Sequence, residues 1–116
     1  MALHSVKPRL DDILENIRGV ADLVANADFE AYKRNFGMRR AVERCVEIIS
    51  EASRHIPADM KALHPEAYWV EIRAVGNLLR HEYQRVDDLI MWRIATRYLP
   101  ALEVVVLDLS RRIGEP

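Results

Sequence analysis

Apolar residues recur at helical spacing along most of the chain, and this periodicity constrains the fold more than any other feature. Stripes of such residues run from Leu10 to Val24, from Met38 to Ile56, from Trp69 to Tyr83 and from Trp92 to Ile113. Steps of three and four residues place side chains on one face of an α-helix. No segment shows the sustained alternation of a strand. The sequence therefore predicts an all-α fold, an up-and-down bundle of four main helices plus one or two short helices.

Residues that cap or interrupt helices separate these stripes. Pro8 suits the first turn of the first helix, and Asp28 suits the cap of a short helix through Tyr32. Pro65 is expected in the first turn of the third long helix, which we predict to continue through Tyr83. Pro100 falls inside the last stripe, so we expect a kink or a break there.

Length and composition favour one ordinary globular domain spanning residues 1–116. No stretch approaches the roughly 18 uninterrupted apolar residues of a membrane span. The start of the chain lacks the apolar core of a signal peptide, so we expect a cytoplasmic location and no membrane contact. The formal net charge of −1 gives no general positive surface for nucleic acid, so any such contact must use a local group of Arg and His residues.

The single cysteine, Cys45, excludes an intrachain disulfide and a cysteine-based zinc cluster. It lies on the apolar stripe of the second helix, where we interpret it as a small buried hydrophobic residue. No His and carboxylate residues have convincing ligand spacing, so the sequence predicts neither a metal nor another cofactor.

The segment from Ile72 to Asp87 is the part of the sequence with the clearest chemical potential. Arg73, Asn77 and His81 are spaced four apart and form one column on a helix, with Arg80 beside it. Guanidinium, carboxamide and imidazole groups together suit an oxyanion, because they offer charge, hydrogen-bond donors and a group that titrates near neutral pH. A solvated helix face is the alternative, and spacing alone leaves the two readings open.

Two residues of this segment are unusual for a plain surface helix. Asn77 is a weak helix former that gains little on an exposed face. Gly76 costs up to about 1 kcal/mol relative to alanine in the middle of a helix, so it usually marks the close approach of another backbone or a ligand.

Several segments, in their order and spacing, resemble the HepT-like group of the HEPN superfamily over nearly the whole chain. The similar pieces are Arg9–Glu15, Arg40–Ala52, His64-Pro65, Trp69–Ile72, Asn77–Tyr83, Asp87 and Leu99–Leu102. The resemblance implies a HEPN-like helical bundle that forms a homodimer and acts as a metal-independent ribonuclease toxin. It also implies a partner, a small nucleotidyltransferase antitoxin of the MntA type.

The family motif is an Arg, usually followed by a polar residue such as Asn, then His, one residue and Tyr. Its last three positions correspond to Asn77, His81 and Tyr83, and in some members the antitoxin transfers AMP to the motif tyrosine. The resemblance therefore implies that Tyr83 is a candidate for AMPylation. The motif arginine is replaced by Gly76, and the sequence leaves open whether Arg73 or Arg80 takes its role.

The leading hypothesis is a toxin of a toxin–antitoxin system that cleaves RNA, with His81 as acid or base. Arg80 or Arg73 would stabilise charge on the phosphate, Asn77 would hold His81 or a phosphate oxygen, and Arg85 is a candidate for RNA binding. An alternative is a catalytically impaired HEPN protein that binds a nucleotide or a partner, because Gly76 replaces the arginine. A third is a purely structural dimer module. The RNA target and its sequence preference are not specified by the sequence.

Overall fold

The computed structural model describes residues 5–114, and the regular elements of this range are helical. The α-helices are α1 (Lys7–Val24), α2 (Phe29–Arg34), α3 (Phe36–Ser53), α4 (Ala58–Lys61), α5 (Trp69–His81), α6 (Asp88–Arg93) and α7 (Leu99–Ile113). Two 3₁₀ turns, Pro65–Ala67 and Tyr83–Arg85, flank α5. The all-α prediction is confirmed, whereas the expected domain limits, residues 1 and 116, lie outside the described residues.

Four long helical segments form the bundle, and α3 occupies its middle. Helix α3 packs against α1 on one side and α5 on the other, and α1 also packs against α7. Gly76 of α5 meets Ser50 near the end of α3, while Tyr83, beyond the end of α5, shares a cavity with Phe36 at the start of α3. Helices α3 and α5 are therefore antiparallel, as an up-and-down bundle requires.

Side-chain caps begin three of the helices. The carboxylate of Asp28 accepts a hydrogen bond from the Ala31 amide at 2.8 Å, as predicted for α2. Asn35 ends α2 and also caps α3, so these two helices meet at a single residue. Asp87 accepts a hydrogen bond from the Leu89 amide at the start of α6. Each cap satisfies an amide that the helix itself leaves without an acceptor.

The helix continues through Pro100, where the sequence predicted a kink or a break. Helix α6 runs into a π-helical segment, Ile94–Tyr98, which continues directly into α7. Proline lacks an amide hydrogen and its ring crowds the carbonyl four residues earlier. The wider π turn, in which the Leu99 amide bonds the Ile94 carbonyl, comes immediately before the proline. The helix therefore passes the proline with a local widening.

Both ends of the third long helix differ from the prediction. Helix α5 begins at Trp69, because Tyr68 adopts a left-handed conformation with φ 63° after the 3₁₀ turn at Pro65. The helix ends at His81, because Glu82 leaves the helical region with φ −146°. Tyr83 therefore does not share a helix with Asn77 and His81. Val86, which follows the 3₁₀ turn, packs against the core.

The predicted stripes supply the core. Buried apolar residues of α1, α3, α5 and α7 form one cluster. Cys45 is half-buried and packs against this cluster, which agrees largely with its interpretation as a small hydrophobic residue. Trp92 packs on the ring of Tyr32 with a centroid distance of 5.5 Å. Within the described residues, no helix is long and apolar enough to cross a membrane.

Gly76 allows α5 to lie directly on α3. A Cβ atom at this position would stand 2.0 Å from Oγ and 2.4 Å from Cβ of Ser50, which is fully buried. The prediction that Gly76 marks the close approach of another element is confirmed. Ser50 cannot move aside cheaply, because the conflict involves its Cβ atom, which the backbone holds in place. The close approach therefore depends on the missing side chain.

Gly76→Ala is expected to lower the free energy of unfolding by about 1–3 kcal/mol, because overpacking outweighs the gain in helix propensity. Chemical denaturation measures the change. In a double-mutant cycle, Ser50→Gly should offset part of the loss, with a favourable coupling of about 1 kcal/mol or more. Purely additive effects, or a stabilised Gly76→Ala variant, would contradict the packing described.

His64 connects the segment before α5 to α7. Its Nε2 lies 2.6 Å from an oxygen of Asp108, and its Nδ1 lies 2.9 Å from Glu66. The hydrogen bonds to Asp108 and Glu66 raise the pKa of His64. Arg112 and His64 hold the pKa of Asp108 far below its ordinary value, and Arg111 adds to this effect. His64 is therefore a bridge between the segment before α5 and α7.

This bridge predicts a pH dependence of stability. Because the folded-state pKa of His64 is raised, its contribution is complete below the ordinary value of 6.5. The contribution is lost as the pH rises through the raised value. The pKa values of Glu66 and Asp108 are lowered in the folded state. Their contributions to stability are therefore lost only when the pH falls below the ordinary carboxylate range. The difference in melting temperature between the wild type and His64→Gln should therefore persist below pH 6.5 and shrink as the pH rises through the raised pKa of His64. A difference that stays constant with pH would be incompatible with the bridge.

Candidate functional site

The C-terminal half of α5 presents polar groups on the side away from its packed face. Ile72, Val75 and Gly76 are buried. Asn77 and His81 are exposed, and they lie one turn apart. The imidazole of His81 therefore reaches solvent at the last residue of the helix, where the chain turns away.

Arg80 folds back along α5 and does not extend past its end. Its Nη2 donates a hydrogen bond to Oδ1 of Asn77 at 2.6 Å, and its Nη1 lies 3.6 Å from Oε1 of Glu51 on α3. The Nη1 atom is covered and lacks a hydrogen-bond partner within the described residues. Asn77 thus holds Arg80, whereas the sequence had paired Asn77 with His81 or with a phosphate.

Arg73 lies apart from this group. It lines a separate cavity between α4 and the start of α5, together with Lys61 and Trp69. Of the four residues predicted as catalytic, Asn77 and Arg80 are in contact, His81 adjoins them at the helix end, and Arg73 faces another cavity.

Tyr83 and Arg85 lie on the 3₁₀ turn that follows α5. The Tyr83 side chain is 66% exposed, so its ring lies at the surface and outside the core. Arg85 is exposed and forms an ion pair with Glu82 at 3.0 Å. Both residues therefore lie beyond the end of the helix, which had been predicted to continue through Tyr83.

Two adjoining cavities along the outer face of α3 form what we call the α3 groove. The first, of about 460 Å³, is lined by Phe36, Arg40, Glu43, Arg44, Glu47, Leu79 and Tyr83. The second, of about 340 Å³, is lined by Arg9, Asp12, Arg44, Glu47, Ile48, Glu51, Ala52 and Arg80. Arg44 and Glu47 belong to both. The groove runs past the end of α5, where Arg80 and Tyr83 enter it on either side of His81 in the sequence.

Arginines of the groove are held by acidic residues of α3. Arg40 forms an ion pair with Glu43 and lies over the ring of Phe36, 4.9 Å from its centroid. Arg44 pairs with Glu47 at 3.1 Å. These pairs are solvent-accessible and therefore weak. A polyanion can displace the carboxylates, but it must compete with them.

Sequence reasoning missed the contribution of α3 to this groove. Phe36, Arg40 and Arg44 are spaced four apart, which is the same signal that singled out the column on α5. Beside an apolar stripe this spacing describes an ordinary solvated face. Only the packing of α5 beside α3 places this row next to Leu79, Arg80 and Tyr83. The column of Arg73, Asn77 and His81 does not line the groove.

Comparisons with known proteins identify the family. The family described as Ribonuclease HepT-like matches residues 13–109. The protein named "Probable ribonuclease HepT" of Thermococcus cleftensis is 36% identical over 100 residues, which cover 86% of this chain and 91% of that protein. "Putative RNase MJ1380" of Methanocaldococcus jannaschii is 34% identical over 103 residues, covering 89% of this chain and 94% of the relative. No solved structure gives a significant match. The chain belongs to the HepT-like ribonuclease family.

Proposed function

We propose that the protein is a metal-independent endoribonuclease. Its substrate, a strand of RNA, lies in the α3 groove, and His81 acts as the acid or the base. The observation that carries the proposal is that His81 is exposed at the last residue of α5, next in the sequence to Arg80 and two residues before Tyr83. Arg80 and Tyr83 line the groove, whereas His81 itself lines neither cavity. Membership of the HepT-like ribonuclease family supports RNA as the substrate.

The proposed reaction is a transesterification within the RNA. The ribose 2′-oxygen attacks the adjacent phosphorus, its bond to phosphorus forms, and the bond from phosphorus to the 5′-oxygen breaks. A base removes the proton of the 2′-hydroxyl, and an acid returns a proton to the departing 5′-oxygen. An imidazole suits either role because it exchanges protons near neutral pH. The products are a 2′,3′-cyclic phosphate and a 5′-hydroxyl.

Arg80 is the arginine proposed to stabilise the charged phosphate. Arg80 lines the groove, and Asn77 fixes its guanidinium through a hydrogen bond from Nη2. Its Nη1 is covered and lies 3.6 Å from Glu51, so a phosphate must compete with that carboxylate. A donor fixed before the reaction stabilises developing charge without having to reorganise. Arg73 is not part of this proposal, because it faces the cavity near Lys61.

Tyr83 and Arg85 are proposed to contact the substrate outside the reacting bond. The exposed ring of Tyr83 offers a surface for a base, since base–aromatic stacking tolerates many sequences. Phe36 lines the same cavity and provides a second exposed ring. Arg85 is free to exchange Glu82 for a phosphate, because their ion pair is exposed.

His81→Ala is expected to abolish cleavage of single-stranded RNA in the presence of EDTA, with a loss of about a hundredfold or more. Gel electrophoresis of labelled RNA measures the rate, and the wild type should leave 2′,3′-cyclic phosphate ends. His55→Ala is the matched control, because His55 is also an exposed histidine at the end of a long helix. Equal cutting by His81→Ala and the wild type would place the activity elsewhere or in a contaminant.

A wild type without RNase activity would favour the second candidate function, a catalytically impaired protein that binds a nucleotide or a partner. The close contact of Gly76 with Ser50 motivates this alternative, because the arginine of the family motif has no room there. Gly76→Arg alone would therefore clash with α3. A Ser50→Gly/Gly76→Arg double variant is the appropriate attempt to restore activity, and its gain of cleavage would support the alternative.

The proposed biological role is the toxin of a toxin–antitoxin pair, acting as a homodimer in the cytoplasm. Exposed apolar side chains on α7, Val104 and Leu107, offer one surface for a second copy. Sedimentation equilibrium of the purified chain tests the dimer, and a monomer at all concentrations would contradict it. A neighbouring gene for an MntA-type nucleotidyltransferase would separate this role from the third possibility, a structural dimer module.

Tyr83 is the proposed acceptor of AMP from such a transferase. Its exposure on a turn makes its ring accessible to a second active site. The hydroxyl oxygen would attack the α-phosphorus of ATP, release pyrophosphate and lose its proton. Mass spectrometry after co-expression should find AMP on Tyr83 and a toxin with reduced RNA cleavage. Modification of Tyr68 or Tyr98 in place of Tyr83 would refute this assignment, and Tyr83→Phe should escape silencing.

A further inference from the structure

The cavity between α4 and the start of α5 brings together two cations, Lys61 and Arg73, that form no ion pair within residues 5–114. This cavity, of about 500 Å³, is lined by Lys61, Ala62, Pro65, Trp69, Val70, Glu71 and Arg73. Its volume lies within the range of small-molecule sites. It is separate from the α3 groove, and the proposed reaction does not use it.

Lys61 and Arg73 both face this cavity, and within residues 5–114 neither forms an ion pair or a side-chain hydrogen bond. Burial and the nearby positive charge of Arg73 lower the pKa of Lys61. Glu71 also lines the cavity, but it forms no ion pair with Lys61 or Arg73. Arg40, Arg44 and Arg80, in contrast, each lie beside a glutamate.

An aromatic ring with a fixed orientation lies beside the two cations. Trp69 donates a hydrogen bond from Nε1 to the carbonyl of His64 at 3.0 Å, which fixes the indole. The ammonium of Lys61 lies 5.7 Å from the centroid of this ring. Val70, whose side chain is 66% exposed, extends the apolar surface. The cavity therefore combines a site for an anion with a flat apolar wall.

We propose that this cavity binds a nucleotide unit, with its phosphate between Lys61 and Arg73 and its base against Trp69. A phosphate would relieve the repulsion between the two cations and supply the acceptor that both lack. Stacking of a base on an indole needs no sequence-specific contact. The apolar wall favours a nucleotide over a bare inorganic anion, because phosphate alone leaves that surface uncovered.

The nucleotide unit has two possible sources with the same chemistry, a free mononucleotide or one residue of a bound RNA strand. Arg73 lies about 12 Å from His81 along α5, so a strand of a few nucleotides can reach both. The proposal does not rest on catalysis by His81, since binding at this cavity is measured without any reaction.

Fluorescence of Trp69 reports directly on occupancy. In a Trp92→Phe background Trp69 is the remaining tryptophan. Its emission is recorded during titration with AMP, with inorganic phosphate or with a 2′-O-methyl oligoribonucleotide. The methylated oligoribonucleotide lacks the attacking hydroxyl and is therefore not cleaved. Saturable quenching by AMP or by the oligonucleotide is expected, and it should weaken as salt increases. Quenching by AMP identifies a site for free nucleotides, and quenching by the oligonucleotide alone identifies a subsite for RNA.

Lys61→Gln should weaken this binding about tenfold or more, because a charged hydrogen bond is lost. Lys61→Arg should retain most of it. Lys33→Gln is the matched control, because Lys33 also lies over an aromatic ring, that of Phe29, but is paired with Glu30. Unchanged affinity in Lys61→Gln, or no quenching by AMP and the oligonucleotide, would overturn the proposal. Equal affinity for phosphate and AMP would overturn the role of the base. Failure of these tests would leave the RNase assay of His81→Ala unaffected.

Discussion

The contact between Gly76 and Ser50 sets how closely α5 lies on α3, and the candidate site depends on this approach. Removing one side chain allows α5 to lie on α3 at a distance that a Cβ atom would prevent. Because the helices are antiparallel, this contact also fixes where α5 ends relative to the start of α3. Tyr83 is thereby placed in the cavity with Phe36, and Arg80 is placed beside Glu51. The same contact leaves no space for the arginine that the family motif has at this position, so packing and chemistry are coupled at one residue.

The two groups of basic residues differ in how their charge is balanced. In the α3 groove, arginines lie beside Glu43, Glu47 and Glu51, so their guanidinium groups are partly oriented and partly neutralised. The cavity at the start of α5 holds Lys61 and Arg73 without an ion pair in the described residues. A net charge of −1 for the whole chain conceals both arrangements. Contacts with a polyanion would therefore be confined to these two places and would not extend over the whole surface.

Helix boundaries show where inference from the sequence fails. The stripes, the Asp28 cap and the close approach at Gly76 were predicted, because periodicity and local chemistry determine them. The end of α5 was not, since no Gly or Pro follows His81 and the turn at Glu82 depends on returning Val86 to the core. For the same reason Tyr83 was expected on the helix and lies beyond it. At Pro100 the sequence predicted a kink or a break, and the structure has a π-helical segment just before the proline. The form of this segment depends on the packing of the helix before and after the proline.

The sequence by itself determined the helical class, the order of the helices and the family, because apolar spacing and motif order are properties of the chain alone. It also named Arg73, Asn77, Arg80, His81, Tyr83 and Arg85 as candidate site residues. Only the tertiary structure decided which of them meet. Arg80 contacts Asn77 and lines the α3 groove, whereas Arg73 lines the cavity that contains Lys61. Side chains of one helix can point into different cavities, because different elements pack beside each part of the helix. Contacts between distant segments depend on packing, and one helix considered alone does not contain that information.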